Sequence, residues 1–319
     1  MPAYWPARRA LQRAAVFDSP EQRPPVRCAA AKSVATGIVA AVREDAIIVA
    51  GRDGTESLDL SPATVTWLGA RTAPSALRPG DPVIIRHQAA GAGSGRRLAE
   101  RIWARIGRVT GTIIAAEGEE GLVDVGRRDR VPRRVVIAAG SARAVQVRFP
   151  RLAPGYLIDV IGTRHGDHLL AVTPAAAQPT YHAGYPPAPP LVSGPLPVPI
   201  SGSAVWHEPD GDEPADLVGL GYPALDPAGG IVADGHGQSC VRLPYLSLGS
   251  AIQLTNECTG RTAVVSVTGD GAMARQFCDR CVTCATSPRG RLADLTMAAF
   301  VELGGNLEQG CFNATMRLT

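Results

Sequence analysis

Residues 34–172 carry an internal repeat. Thr36-Gly37-Ile38-Val39 opens one copy, and Thr110-Gly111-Thr112-Ile113 opens the next. In the first copy Leu77-Arg78-Pro79-Gly80-Asp81 runs into the apolar Val83-Ile84-Ile85. In the second, Leu152-Ala153-Pro154-Gly155-Tyr156 runs into Leu157-Ile158-Asp159-Val160-Ile161. The leading glycine and the Pro-Gly glycine stand 43 residues apart in one copy and 44 in the other. Shared order at shared spacing marks a duplication. Pro fixes φ and Gly supplies positive φ, so each Pro-Gly is a turn feeding a strand. Each copy reads as about five short strands: a Gly-led strand, a hairpin at Asp45 or Gly118–Gly121, a further strand, the Pro-Gly turn, and closing strands. Ile102–Ile106 closes the first copy and His168–Val172 the second.

Small closed barrels of the oligonucleotide/oligosaccharide-binding type fit that strand count. The copies are similar in pattern to the small β modules found beside bacterial envelope domains. The expected organisation is an N-terminal arm over 1–33, one barrel over 34–107, a second over 108–173, a Pro-rich linker over 174–200 and a C-terminal β domain over 201–319. The linker has a proline at roughly every third position and no charge, which favours an extended spacer. The alternative is that it lies along a barrel through Tyr181 and Tyr185. Trp67 and Trp103 are expected to be packing residues. His87, His165 and His168 are isolated and carry no catalytic constellation.

Charge separates the two halves. Residues 1–172 hold 25 Arg+Lys against 16 Asp+Glu, whereas residues 173–319 hold 7 against 13. The net is +9 in front and −6 behind, within an overall +3. A basic front half suits an anionic surface such as an acidic wall polymer or lipid head groups, and equally a solvated β surface. Nucleic acid is not indicated: no basic run interleaves with aromatics, and no helix-turn-helix or zinc-finger spacing is present. No apolar run approaches 18 residues, so no transmembrane helix is expected.

Six of the seven cysteines, Cys240, Cys258, Cys278, Cys281, Cys284 and Cys311, fall in the C-terminal domain. An even set in one small β domain reads as a disulfide framework, with 15 pairings open. Cys278-x-x-Cys281-x-x-Cys284 would need a second ligand pair for zinc, for which Cys258 and His236 could serve; the even cysteine set favours disulfides, so no metal and no cofactor are expected. The stapled loop is expected to shape a groove wall. Disulfides imply an extracytoplasmic setting, although the N-terminus shows no recognisable signal peptide. Cys28 is left over.

Between Leu243 and Leu318 the chain shows β runs at Ala251–Thr255 and Thr262–Val267. Asp294-Leu295-Thr296 is expected to open a short helix, Met297–Leu303, stopped by Gly304-Gly305, and a last β run covers Ala314–Leu318. Ser203–His207 and Gly229–Ala233 are further strand candidates. Leu248-Gly249-Ser250, Leu254-Thr255-Asn256, Val264-Val265-Ser266-Val267 and Arg291-Leu292-Ala293-Asp294-Leu295-Thr296 occur in an order that resembles the rare lipoprotein A-like double-psi β-barrel family, which is related to barwin and the expansins. The resemblance covers residues about 200–319. The fold class is therefore mainly β: two tandem small OB-like β-barrels followed by a double-psi β-barrel.

The resemblance implies a groove that handles wall glycan. Asp294 matches the family's acidic residue, a general acid/base in lytic members. A helix-start Asp is also a routine cap, and both readings stay open at this position. Asp270, in Gly269-Asp270-Gly271-Ala272, stands near the family's Asp-Arg-Gly-Pro loop and is the second catalytic candidate; a turn Asp between glycines is the alternative. The family's histidine position is Cys240 or Leu243 here, depending on which turn is matched, so His236 or His207 would have to substitute. Trp206, His207, Glu208 and His236 are the candidate substrate-binding residues. Glu208 or Asp210, in an acidic loop, could add a second carboxylate. The implied function is a cell-envelope protein that binds or cleaves peptidoglycan in the manner of a lytic transglycosylase. The alternatives are a non-catalytic, expansin-like glycan binder and a self-associating structural subunit of an extracellular fibre or surface layer. The expected partner is cell-wall glycan.

Overall fold

The computed structural model describes residues 33–89, 95–125, 131–175, 182–185, 198–209, 214–226 and 240–319. Cys28, Tyr181, Asp210, Gly229–Ala233 and His236 lie outside the described residues.

The first copy of the repeat forms β1 (Val34–Val42), β2 (Ala46–Gly51), β3 (Gly54–Asp59), β4 (Val65–Trp67), β5 (Arg71–Thr72), β6 (Pro82–Ala89) and β7 (Arg97–Ala104). The order β3-β2-β1-β6-β7 closes on itself through a parallel β3–β7 contact, and β4 and β5 extend the sheet from β7. The second copy forms β8 (Ile106–Glu117), β9 (Glu120–Asp124), β10 (Arg133–Ile137), a helix α1 (Ala142–Arg148), β11 (Leu157–His165) and β12 (His168–Pro174). Its ring is β10-β12-β11-β8-β9, with β10–β12 the parallel pair. Taken in chain order, both rings run first-second-third-fifth-fourth strand, the OB-like arrangement expected.

The duplication extends to backbone detail. In both copies the Pro-Gly glycine has positive φ, +95° at Gly80 and +85° at Gly155. Gly80 N–H donates to Val39 O at 2.9 Å, and Gly155 N–H donates to Ile113 O at 2.7 Å. Each first strand carries a bulge two residues after its leading glycine, at Val39/Ala41 and Ile113/Ala115. The copies differ where the third strand leads to the fourth. The first fills that space with β4 and β5, the second with α1, which the sequence reading did not include. The junction also sits earlier than expected: β7 ends at Ala104, Arg105 takes φ +50°, and β8 starts at Ile106.

The C-terminal domain comprises β13 (Ile200–His207), β14 (Leu220–Tyr222), β15 (Ala251–Asn256), β16 (Thr262–Asp270), α2 (Ala272–Gln276), β17 (Arg291–Thr296), α3 (Met297–Glu302) and β18 (Cys311–Leu318). Six strands close as β13-β17-β14-β16-β15-β18, with β13–β17 and β14–β16 parallel and the other pairs antiparallel. Strand number, closure and the two interleaved parallel pairs agree with the expected double-psi barrel.

One expectation is overturned. Asp294 does not open a helix, because Arg291–Thr296 is strand. Its backbone pairs with β13 on one side and β14 on the other, which holds the chain extended through Thr296. The cap of α3 is Thr296, whose hydroxyl accepts from Ala299 N–H at 3.4 Å. Gly304, at φ +83°, ends the helix as expected.

The three barrels pack directly on one another. Val83 and Ile85 point into the first barrel's own core, whereas Ile84 joins the core shared with the C-terminal barrel, along with Trp67 and Trp103. In the second copy Ile158 and Val160 point inward, and Ile161 joins the shared core. The outer face of the strand after the Pro-Gly turn therefore docks the C-terminal barrel twice. This double burial explains why those strands read as continuous apolar runs rather than alternating ones. Each such Ile removes a side chain from water, a contribution of about 1.5–3 kcal/mol. Arg86 Nη1 and Nη2 bond Gly305 O and Asn306 Oδ1, and Arg101 and Trp103 Nε1 bond the Glu308 carboxylate. The expected Pro-rich spacer thus joins bodies that already touch. Its described piece, His182–Tyr185, lies against the second barrel, where Ala183 N–H donates to Gly155 O at 2.8 Å.

A candidate functional groove between the second and third barrels

Asp159 sits mid-strand on β11 in an apolar run and is fully buried. The Arg108 guanidinium grips it with Nε at 2.8 Å and Nη2 at 2.6 Å, and Arg291 Nη2 reaches it at 2.5 Å. Arg291 also binds Asp279 (Nη2–Oδ2 2.6 Å), while Arg108 Nη1 donates to Trp206 O and Gly310 O. Two cations and two anions, all almost without exposure, form a neutral network across the junction of the second and third barrels. Burial pushes the Asp159 carboxyl up, but the two guanidinium charges and their hydrogen bonds outweigh it and hold it at about 2. Such a network offsets its desolvation cost only when every member is satisfied.

Of this network, Arg108 also lines a groove between the two barrels. Its lining comes from β8 (Arg108, Thr110), the facing ends of β9 and β10 (Val125, Arg133), the end of β13 (His207, Glu208), Asp270 with Ala272 and Met273 at α2, and Asp294 on β17. Asp294 lies across from Val205, and His207 follows two residues later on the same strand. His207 Nδ1 stands 3.4 Å from Asp294 Oδ1. That is ion-pair distance, longer than a tight charge-assisted hydrogen bond. Burial drives the Asp294 carboxyl up; the charge of His207, then those of Arg108 and Arg291, overcome this and hold it below the usual carboxylate range.

The other two carboxylates are engaged. Arg275 Nη2 binds Asp270 Oδ2 at 3.0 Å from one helical turn away. Glu208 accepts from Arg108 N–H at 2.7 Å and from Arg164 Nη2 at 2.8 Å, fastening the end of β13 to the second barrel. Burial raises the Glu208 carboxyl, and its arginine partners only partly counter that.

Of the residues singled out from sequence, Asp294, Asp270, His207 and Glu208 meet in this groove. Trp206 does not line it. Its indole is buried in the barrel core, donates Nε1–H to Leu307 O at 2.9 Å, and lies under the Arg108 guanidinium. On an extended strand Trp206 and His207 face opposite sides, so only one of the two can reach the groove. Arg108, Arg133 and Arg275 were not singled out. Nothing in the local sequence marks Arg108 and Arg133, since the second barrel's part in the site arises from docking, whereas Arg275 enters through its contact with Asp270 in the third barrel itself.

The cysteines pair as Cys240–Cys278, Cys258–Cys284 and Cys281–Cys311. Three bonds anchor the segment between α2 and β17 to the stretch just before β15, to the β15–β16 turn and to β18. Asp279, held in that segment, is thereby presented to Arg291. None of residues 277–290 lines the groove, contrary to expectation; the disulfides tie that segment to the stretch before β15, the β15–β16 turn and β18 instead. Three disulfides point to an oxidising environment.

Among the described residues, no cluster of three or more His, Cys, Asp or Glu is arranged to hold a metal, and no helix is long and apolar enough to cross a membrane. No family model matches the chain, and no curated protein matches it either.

Proposed function

We propose that this protein acts in the cell envelope, outside the cytoplasm, and that the groove between its second and third barrels binds or cleaves wall polysaccharide. The observation that carries this reading is the His207–Asp294 pair, held 3.4 Å apart on neighbouring parallel strands in a groove lined by two further carboxylates. With its carboxyl held low, Asp294 is an anion near neutral pH and is no proton donor. Its part is to orient His207 and to stabilise the imidazolium. His207 then passes the proton, giving it to a glycosidic oxygen or taking it from a sugar hydroxyl. The disulfides support the compartment.

Binding without cleavage is the second reading. Glycosidic cleavage ordinarily uses two placed groups. Here Asp270 is held by Arg275, and Glu208 by Arg164 and a backbone N–H. This leaves the His207–Asp294 pair to supply the acid and the base together.

Incubation of oxidised protein with peptidoglycan sacculi, beside Asp294→Asn and His207→Gln, tests both. Soluble muropeptides from wild type alone establish cleavage. Pelleting with the wall and no products leaves a binder. Neither products nor pelleting overturns the glycan reading, and large assemblies by sedimentation would then favour a structural subunit.

A further inference from the structure

The groove pairs its charges, with one exception among the described residues. Arg108 is consumed by Asp159 and two carbonyls. Asp270 is matched by Arg275, Glu208 by Arg164, and Asp294 by His207. Arg133 is left. It is exposed, lines the groove as the first residue of β10, and stands in no ion pair among the described residues, acting on Glu208 through charge alone. Its neighbour Arg134 turns to the other face of the strand and binds Glu120 at 2.9 Å. So the second barrel, which belongs to the basic half of the chain, presents one uncommitted guanidinium to a groove whose acids already have partners.

We propose that Arg133 is the specificity residue of this groove and selects a glycan bearing an anionic group, a carboxylate or a phosphodiester, over a neutral one. The inference rests on the glycan reading above. A guanidinium presents its donors in a planar fork that matches two oxygens of such an anion, and an ammonium does not. The acids of the groove are already engaged, Asp270 by Arg275, Glu208 by Arg164 and Asp294 by His207. The second barrel thereby contributes recognition, and the third contributes the His207–Asp294 pair.

The test measures affinity of the full-length oxidised protein for three probes: oligogalacturonate, its methyl ester of equal length, and a glycerol-phosphate polymer. Wild type should bind at least one anionic probe about three- to tenfold more tightly than the methyl ester, the scale of one partly exposed charge-assisted contact. Whichever anion is preferred identifies the source of the group. Arg133→Gln should bring the anionic probe to the level of the ester, Arg133→Lys should keep part of the preference, and Arg134→Gln should keep all of it. Arg133 is exposed, so these variants should fold, and unchanged thermal unfolding verifies that. Equal binding of all probes by wild type, or a preference that survives Arg133→Gln, overturns the proposal. Binding to sacculi with no binding to either anionic probe overturns it while sparing the glycan reading; failure on sacculi as well removes both.

Discussion

His207 Nδ1 and Asp294 Oδ1 are 3.4 Å apart although 87 positions separate them, because β13 and β17 run parallel and side by side. The pairing has a measurable electrostatic consequence. His207 is the largest influence holding the partly buried Asp294 carboxyl down, and burial acts against it. Replacing His207 by Gln removes the charge and leaves the burial. The Asp294 carboxyl should then titrate higher in His207→Gln than in wild type, read by carbon NMR of the side-chain carboxyl. An unchanged or lower titration would mean that the pair is not electrostatically coupled.

Much of the fold is legible in the sequence. Gly37 and Gly111, Pro79-Gly80 and Pro154-Gly155 mark chemically specific backbone positions, and such positions survive as local signals. The cysteine set was legible as disulfides, but its connectivity depends on where distant loops meet. Asp294 illustrates the limit. Asp-Leu-Thr before an apolar run carries the local signature of a helix start, yet hydrogen bonds to β13 and β14 keep it extended and move the cap to Thr296. The groove itself was half visible. His207, Glu208, Asp270 and Asp294 come from one domain whose motifs could be matched, whereas Arg108 and Arg133 enter through a docking surface on another. Asp159, in the middle of Leu157–Ile161, was the available hint: a charge in a doubly buried strand requires partners from outside its own barrel.

The leading glycines are tested by adding one carbon. A Cβ at Gly37 would come within 2.3 Å of Ala50 O, and one at Gly111 within 2.1 Å of Asp124 O. Both contacts are with backbone of the paired strand beside the bulge, which cannot rotate away. Gly37→Ala and Gly111→Ala should each destabilise the protein by about 1–3 kcal/mol, the usual range for forced overpacking. Urea unfolding measures this. If one variant is neutral while the other is costly, the two copies do not share this structural position.

Asp159 joins the second and third barrels through charge. Asp159→Asn keeps the shape but leaves Arg108 and Arg291 buried with one anion fewer, and breaking a buried network from one side costs about 3–5 kcal/mol. The variant should lose that much in urea unfolding. A loss below about 1 kcal/mol would place the hold between these barrels in their apolar contacts instead.

The same carboxylate fixes the response to acid. Its folded-state pKa of about 2 lies below the ordinary aspartate value of 3.8, so the folded state resists protonation relative to the unfolded chain. The stability gained is complete above about pH 4 and disappears as pH falls toward about 2, roughly 2 kcal/mol in all. Asp294 is shifted in the same sense. Glu208, raised by burial, is shifted the other way, and its contribution changes above about pH 4.5, outside this window. Unfolding free energy should therefore fall steeply between pH 4 and pH 2 in wild type and less steeply in Asp159→Asn. Equal slopes would show that the acid sensitivity originates elsewhere.

Cys281–Cys311 closes a loop of sequence separation 30 and packs on Val205, two residues before His207 on β13. Thr283 Oγ1 adds a hydrogen bond to Cys311 O at 2.9 Å. Removing the bond in a Cys281→Ser, Cys311→Ser double variant should cost about 3–4 kcal/mol by loop entropy. Because Val205 lies directly across from Asp294, loosening this contact should also disturb the His207–Asp294 pair. The double variant should therefore lose part of its binding to sacculi under conditions where it is still folded by circular dichroism. Full retention of binding at reduced stability would separate the disulfide from the groove and leave it a structural staple alone.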